Sequence, residues 1–149
     1  MVEKKKISIS ELKQYLFAPY GRILVPKQGE TPEVTEPGIF DFYVPFRVQS
    51  KGWQMGYLLN ITKSIDKLER HPNTPEVFSP ISGETVLVAT NNPADPSSIM
   101  GFLLTKPIVF NPGVWHGVIT LSEKSEVLIV ENPDVIDEFQ ELPFRLVVE

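Results

Sequence analysis

The hydrophobic and polar positions of this chain alternate in short runs, a pattern typical of β-strands. Val, Ile, Leu and aromatic residues fill most of the runs, and Gly, Pro, Asn or Ser lies at their ends. The pattern predicts strands at 22–25, 40–46, 55–62, 67–71, 84–90, 100–104, 107–111, 117–121, 126–130 and 144–148. Residues 27–38, rich in Pro and Gly, are predicted to form a loop.

Helices are predicted only near the two ends of the chain. The 14 prolines break the sequence into pieces too short for long helices. Residues 10–17 combine a serine at the N-cap position with apolar residues at helical spacing, and Pro19 ends the segment. Residues 134–140 are predicted to contain one or two further helical turns. The fold class is therefore all-β, a barrel or double-sheet jelly roll with short terminal helices.

Length and composition predict one ordinary globular domain over residues 1–149, in which 1–9 form a flexible tail. The net charge of −5, without a basic patch beyond Lys4–Lys6, argues against nucleic acid as a partner. No apolar run approaches the length of a membrane span, and no cysteine is present for a disulfide or a thiol nucleophile. We therefore expect a soluble cytoplasmic protein.

The candidate chemistry lies around the only two histidines of the chain. His71 follows Glu69 by two residues, so both side chains share one face of a strand, and Glu76 comes shortly after. His116 follows a Pro-Gly turn and can face them from another strand. Two imidazoles and two carboxylates in one cavity would supply groups for proton transfer or ligands for a metal ion.

These residues carry a resemblance to a known family. The spacing of Glu69, His71, Glu76 and Gly83 is similar to the first signature of the cupin superfamily, with Glu in place of the first His. The stretches Leu68–Pro72 and Val109–His116 resemble the cupin-like ureidoglycolate lyase family more specifically. The family usually has glutamine in place of Glu76, a second histidine in place of Gly117, and an early Arg-Phe segment without a clean match here.

The resemblance implies a cupin-like double-stranded β-helix and a carbon–nitrogen lyase. Such an enzyme releases urea from ureidoglycolate, or acts on a related small α-hydroxy acid, in allantoin degradation. His71 or His116 would be the base, and Glu69 or Glu76 the acid. Substrate-binding residues are predicted as follows: Arg47, Arg70 and Trp115. Arg70 faces away from Glu69 in a regular strand. We also expect a homodimer and a small carboxylate as the substrate.

Two alternatives remain open from the sequence. The first is a metal-dependent cupin enzyme of other specificity, with a divalent ion held by four residues: Glu69, His71, Glu76 and His116. The second is a cupin that binds a small carboxylate without turnover. Metal content distinguishes the first alternative from the lyase, and turnover distinguishes the second. No cofactor other than a divalent ion is predicted.

Overall fold

The computed structural model describes residues 2–149, and its regular secondary structure is almost entirely β-strand. In chain order the elements are β1 Lys4–Ile7, β2 Ile9–Ser10, α1 Gln14–Phe17, β3 Gly21–Ile23, β4 Val34–Glu36, β5 Phe40–Phe42, β6 Gln54–Asn60, β7 Ser64–Arg70, β8 Glu76–Ser82, β9 Thr85–Thr90, a 3₁₀ turn at Pro96–Ser98, β10 Met100–Leu103, β11 Ile108–Phe110, β12 Trp115–Thr120, β13 Ser125–Glu131 and β14 Glu138–Val148. No helix in residues 2–149 is long and apolar enough to cross a membrane.

Two sheets form the body of the protein. The larger has seven strands in the order β1-β14-β7-β12-β9-β10-β2, and the smaller has five in the order β3-β11-β8-β13-β6. Strands β4 and β5 form a separate hairpin. Most neighbouring strands run antiparallel, but β1 pairs with β14, and β2 with β10, in parallel. The predicted all-β, double-sheet architecture is confirmed.

Hydrophobic side chains from both sheets meet in the interior of the barrel. Leu87 and Ala89 of β9 face Phe78 of β8 and Ile129 of β13 in one buried cluster, which α1 extends through Phe17. Val86 and Val88 belong to a second buried cluster on the other face of the larger sheet. All six residues of β9 are buried, because both faces of this strand are covered.

Several elements differ from the expectations. Residues 4–7, expected in a flexible tail, form β1 and pair with β14. The first helix is limited to Gln14–Phe17, and its N-cap residue Lys13 makes no side-chain capping bond. The helical turns predicted over 134–140 are wrong, because β14 begins at Glu138 and pairs with β7.

Strands β4 and β8 were not predicted. β4 lies within the expected loop 27–38 and pairs only with β5. β8 contains Pro80, which disfavours a strand in sequence terms. In the structure Pro80 is paired with Val127 next to a register shift between Glu126 and Val127. A bulge of this kind accommodates a residue that lacks an N–H.

Candidate active site

Strand pairing brings the predicted site residues together. In the larger sheet, Glu69 of β7 lies directly opposite His116 of β12. His71 follows the end of β7, and Glu76 begins β8 in the other sheet. The connection from His71 to Glu76 therefore crosses between the two sheets and carries these side chains to the same point inside the barrel.

A backbone hydrogen bond joins the two signature stretches. The N–H of Gly113 donates to the carbonyl oxygen of His71 at 2.8 Å. Gly113 has a φ of +84°, a left-handed conformation that glycine adopts at little cost. The turn before β12 is thus held against the end of β7, which brings His71 and His116 to the same region.

Four side chains form what we call the polar cluster: Glu69, His71, Glu76 and His116. One ligand atom from each lies within 4.8 Å of all the others. Glu76 Oε1 lies 2.9 Å from His116 Nε2 and 3.2 Å from His71 Nε2. Glu69 Oε1 lies 3.4 Å from His71 Nε2 and 3.8 Å from His116 Nε2. Both imidazole Nε2 atoms therefore face the same carboxylates.

The opposite nitrogen of each ring faces the backbone. His116 Nδ1 lies 3.0 Å from the carbonyl oxygen of Val114. His71 Nδ1 lies 3.3 Å from the carbonyl oxygen of Ile136 and 3.1 Å from Asp137 Oδ1. Because these oxygens only accept hydrogen bonds, we assign a proton to Nδ1 of each ring. A proton or a cation must then lie between each Nε2 and the Glu76 oxygen it faces.

The environment separates the pKa values of the cluster. For His71, burial alone would lower the pKa, but the hydrogen bond and negative charge of Glu76, together with Glu69, raise it to about 9. For Glu76, burial alone would raise the pKa, but hydrogen bonds from His116 and His71 lower it to about 2. The two groups therefore form an ion pair at neutral pH.

Glu69 behaves differently from Glu76. Burial raises its pKa, and the nearby imidazoles counter this only in part. Its side chain is 35% exposed, against 8% for Glu76. The cluster thus contains one carboxylate that stays ionised and another that is a stronger base than an ordinary glutamate. Such separation of pKa values is common where one carboxylate orients a group and another exchanges protons.

Glu131 joins this region and was missed as a site residue. It ends β13, lies opposite Glu76 in register, and accepts a hydrogen bond from Gln54 Nε2 at 3.0 Å. Burial raises its pKa, and the charge of Glu76 raises it further. Strand alternation contained the signal, because Val127, Ile129 and Glu131 share one face and the first two are buried.

Aromatic packing fixes the ring of His116. The ring stacks on Phe110, with centroids 4.9 Å apart and an interplanar angle of 21°. Phe78 meets it edge-on at 5.7 Å, and the His71 ring lies 5.4 Å away. Because the neighbours on several sides are rings or backbone, rotation of His116 would require the surrounding core to move.

A cavity of about 430 Å³ opens beside the polar cluster. Glu69, Glu76 and His116 line it, together with Glu131 and Lys67. The apolar part of the wall includes Leu58, Leu68, Phe78, Val118, Ile129 and Phe139. His71 is the one member of the polar cluster that does not line the cavity, and its Nε2 faces the carboxylates of Glu69 and Glu76. The volume suits a small molecule, and the polar groups converge on one side of it.

The predicted substrate-binding residues lie outside this cavity. Arg47 is exposed and pairs with Glu33 at 3.0 Å. Arg70 points away from the cluster, bonds Glu138 at 2.8 Å, and stacks on Trp115 at 4.7 Å from the ring centroid. Within the described chain, Lys67 is the only lysine or arginine that lines the cavity. Sequence reasoning missed Lys67, although it shares a strand face with Glu69.

The donor set of the polar cluster fits a divalent metal ion. Two imidazole nitrogens and two carboxylate oxygens are the ligand types that Mn, Fe, Ni and Zn accept. Hydrogen bonds from Nδ1 of both rings to backbone oxygens orient the Nε2 atoms, as is usual for metal-binding histidines. The same arrangement also suits proton transfer without a metal, since Glu76 and the two imidazoles satisfy one another.

Comparisons with known proteins agree on one family. The model of a family described as Ureidoglycolate lyase matches residues 4–148. A ureidoglycolate lyase of Brucella anthropi is 26% identical, and the alignment covers 91% of this chain and 88% of that protein. A protein of Rhizobium meliloti named ureidoglycolate lyase 2 is 23% identical, with coverage of 94% and 96%.

Two solved structures show some likeness to this chain. A cupin 2 domain-containing protein of Halorhodospira halophila has a TM-score of 0.44 and 18% identity, with 62% of this chain and 60% of that chain covered. The epimerase RmlC of Legionella pneumophila has a TM-score of 0.45 and 17% identity, with coverage of 68% and 64%.

Proposed function

Because this chain belongs to the ureidoglycolate lyase family, we propose that it releases urea from ureidoglycolate and leaves glyoxylate. In this substrate one carbon carries a hydroxyl, a carboxylate and a urea nitrogen. As the hydroxyl loses its proton, the C–O bond becomes C=O and the C–N bond breaks. The departing nitrogen takes up a proton and leaves as urea. The observation that carries the proposal is the cavity in which Glu69, Glu76 and His116 converge.

Glu69 and His116 are the groups best suited to these proton transfers. Burial raises the pKa of Glu69, which makes its carboxylate a better base for the hydroxyl proton. The proton between His116 Nε2 and Glu76 is available to the departing nitrogen, because His116 lines the cavity. Glu76, whose pKa is about 2, stays ionised and orients both imidazoles. His71 does not line the cavity and holds Glu76 in place through the contact between its Nε2 and Glu76 Oε1.

This assignment reverses the roles expected for the two residue types. The sequence predicted an imidazole base and a carboxylic acid. In the proposed mechanism the base is a glutamate and the acid is a histidine, because His116 and Glu76 share a hydrogen bond beside the cavity.

The test is an assay of purified protein with ureidoglycolate, in which glyoxylate is measured against the spontaneous rate. We expect release of glyoxylate and urea in equal amounts by the wild type, and loss of this activity in Glu69→Gln. Glu36→Gln, the same substitution at an exposed position of the β4–β5 hairpin, is the matched control and should keep full activity. Wild-type protein without activity between pH 6 and 9 would contradict the proposal.

A metal-dependent form of the site is the second candidate, and the 4.8 Å clustering of four donors favours it. Glu69, His71, Glu76 and His116 would hold the ion, which when bound would supply a Lewis acid for the oxygens of the substrate. Elemental analysis of protein purified without chelator, followed by activity after chelation and dialysis, tests this form. A metal-free preparation with full activity would exclude a catalytic ion.

We further propose that the protein acts in the cytoplasm, in allantoin and purine degradation, as one domain that forms a homodimer.

The proposed dimer rests on β6, which is an open edge of the smaller sheet. Met55, Tyr57 and Leu59 on alternate positions of β6 are all more than half exposed. An exposed apolar edge of this kind is commonly covered by a partner. Sedimentation of wild type and Leu59→Asp tests the dimer: the variant should be a monomer, and a monomeric wild type would contradict it.

A further inference from the structure

The charges around the cavity are unevenly distributed. Glu76 and Glu131 lie opposite each other where β8 meets β13, so two carboxylates occupy one side. Glu69 reaches the cavity from β7 in the other sheet. Lys67 lies two residues before Glu69 on the same strand face, and among residues 2–149 it is the one lysine or arginine in the cavity wall.

Lys67 is free to bind a ligand. Its ammonium group takes part in none of the ion pairs of the described chain, in contrast to Arg47 and Arg70, which are both paired with glutamates. Lys67 Nζ lies 5.0 Å from the ring centroid of Phe139, which also lines the cavity. This cation–π contact holds the ammonium beside the cavity without neutralising its charge.

The substrate of the proposed reaction has a matching asymmetry. Its carboxylate is an anion that three glutamates would repel, and its urea group presents N–H donors that carboxylates accept. An anion at the Glu76–Glu131 side would be unfavourable in a partly buried site, where charges are poorly screened. The same carboxylate beside Lys67 would gain a charge-assisted hydrogen bond.

Resting on the function proposed above, we propose that Lys67 binds the carboxylate of the substrate and thereby sets its direction in the cavity. The carboxylate lies at Lys67, and the urea group lies towards Glu76 and Glu131. The hydroxyl-bearing carbon is then placed between Glu69 and His116, where the two proton transfers occur. The site selects small acids with one carboxylate and N–H donors at the other end, and it disfavours dicarboxylates.

Steady-state kinetics of Lys67→Met, Lys67→Arg and a control test this assignment. Lys67→Met keeps a long flexible side chain and removes the charge, and it should raise KM about tenfold or more while kcat changes less than about threefold. Lys67→Arg should restore most of the affinity. Lys106→Met, at an exposed position outside the cavity, should match the wild type.

A second substrate gives a readout that a purely structural role of Lys67 would not affect. The second substrate is an analogue with a carboxamide in place of the carboxylate. The wild type should bind this analogue more weakly than ureidoglycolate, and Lys67→Met should bind the analogue as well as the wild type does. If Lys67→Met instead weakens the binding of both substrates by the same factor, or has the same kinetics as Lys106→Met, the proposal is overturned.

Binding of glyoxylate, measured by calorimetry, separates this proposal from the proposed function. If the wild type binds glyoxylate without turning over ureidoglycolate, and Lys67→Met loses that binding, the carboxylate site stands and the lyase function fails. If the wild type turns over ureidoglycolate and Lys67→Met is unaffected, the function stands and the assignment of Lys67 fails. A wild type with neither binding nor turnover overturns both.

Discussion

Two neighbouring regions of the barrel interior share one aromatic ring and differ in almost everything else. The aromatic core consists of Phe17, Tyr20, Phe102 and Phe110, whose rings meet at centroid distances of 5.3–6.1 Å. The polar cluster lies on the other side of Phe110, which stacks on His116. The same strands therefore build a region that stabilises the fold by apolar packing and a region whose buried charges line the cavity.

The two regions differ in the interactions that make burial of their side chains favourable. Phe17 and Phe102 are fully buried and need only close packing. His71 and Glu76 are nearly as buried, yet they need each other's charge and hydrogen bonds to remain so. Mutations in the two regions should consequently separate stability from activity.

The largest expected effect is on activity, from His116→Gln. The side chain keeps a polar group of similar size but loses the transferable proton, so kcat should fall by about 10²–10⁴. The free energy of unfolding should fall by about 1–3 kcal/mol, because the variant also breaks part of a buried hydrogen-bond network. Glyoxylate release and urea denaturation measure the two quantities. A variant that loses stability and activity in proportion would remove the distinction between the regions.

The next largest effect is on stability, from Phe102→Ala. Removal of this fully buried ring should lower the free energy of unfolding by about 3–5 kcal/mol, because lost burial and a residual cavity add together. Phe40→Ala in the exposed hairpin is the control and should cost far less. Protein that remains folded should retain most of its kcat. Similar losses in both variants would show that the aromatic core contributes less than its burial indicates.

The third effect is a pH dependence of stability that belongs to the polar cluster. The raised pKa of His71 stabilises the fold fully below pH 6.5, and this contribution is lost as the pH rises through about 9. The lowered pKa of Glu76 stabilises the fold fully above pH 4.5, and this contribution is lost as the pH falls towards about 2. Unfolding free energies should therefore decrease by about 1–3 kcal/mol from pH 6.5 to 9.

Glu76→Gln is the variant that assigns this pH dependence. It removes the charge that holds the His71 proton, so the decrease between pH 6.5 and 9 should become much smaller. Glu123→Gln, at an exposed carboxylate outside the cluster, should leave that alkaline decrease as in the wild type. An unchanged alkaline slope in Glu76→Gln would mean that other groups cause it.

The smallest effect comes from a matched pair of glycines. Gly113 and Gly29 have φ values of +84° and +78°, and a Cβ at either position would contact nothing within 4 Å. Gly113→Ala and Gly29→Ala should each cost about 1 kcal/mol for the strained backbone. Only Gly113→Ala should also raise KM, because its N–H holds the His71 carbonyl. Equal kinetics in the two variants would argue against a positioning role for that bond.

Much of the site could be predicted from residue spacing, because strand alternation is a local property. Glu69 and His116 were expected to face one another, and they are direct partners across β7 and β12. The same alternation placed Arg70 on the other face, where it stacks on Trp115. The cation of the cavity, Lys67, was missed although it shares a strand face with Glu69, and the expected Arg47 lies outside the cavity because local spacing does not predict the path of its loop.

The errors in the fold have a common cause in pairing between distant segments. β1 and β14 are strands because they pair with each other, and β14 also lies along β7. Local propensity favoured a tail and a helix there, and tertiary pairing overrode it. Prolines caused a similar error, because proline disfavours a strand in sequence terms. Pro80 and Pro143 nevertheless lie in strands, close to register shifts where the missing N–H leaves no ladder hydrogen bond broken.

The hydrogen bond from Gly113 to His71 also has a kinetic consequence. It joins two turns that lie far apart in the sequence, and contacts of that kind form late because closing a long loop is entropically costly. Catalytic competence should therefore return in refolding experiments only after the sheets have paired. The appearance of glyoxylate then reports completion of the native topology more stringently than a far-ultraviolet signal does.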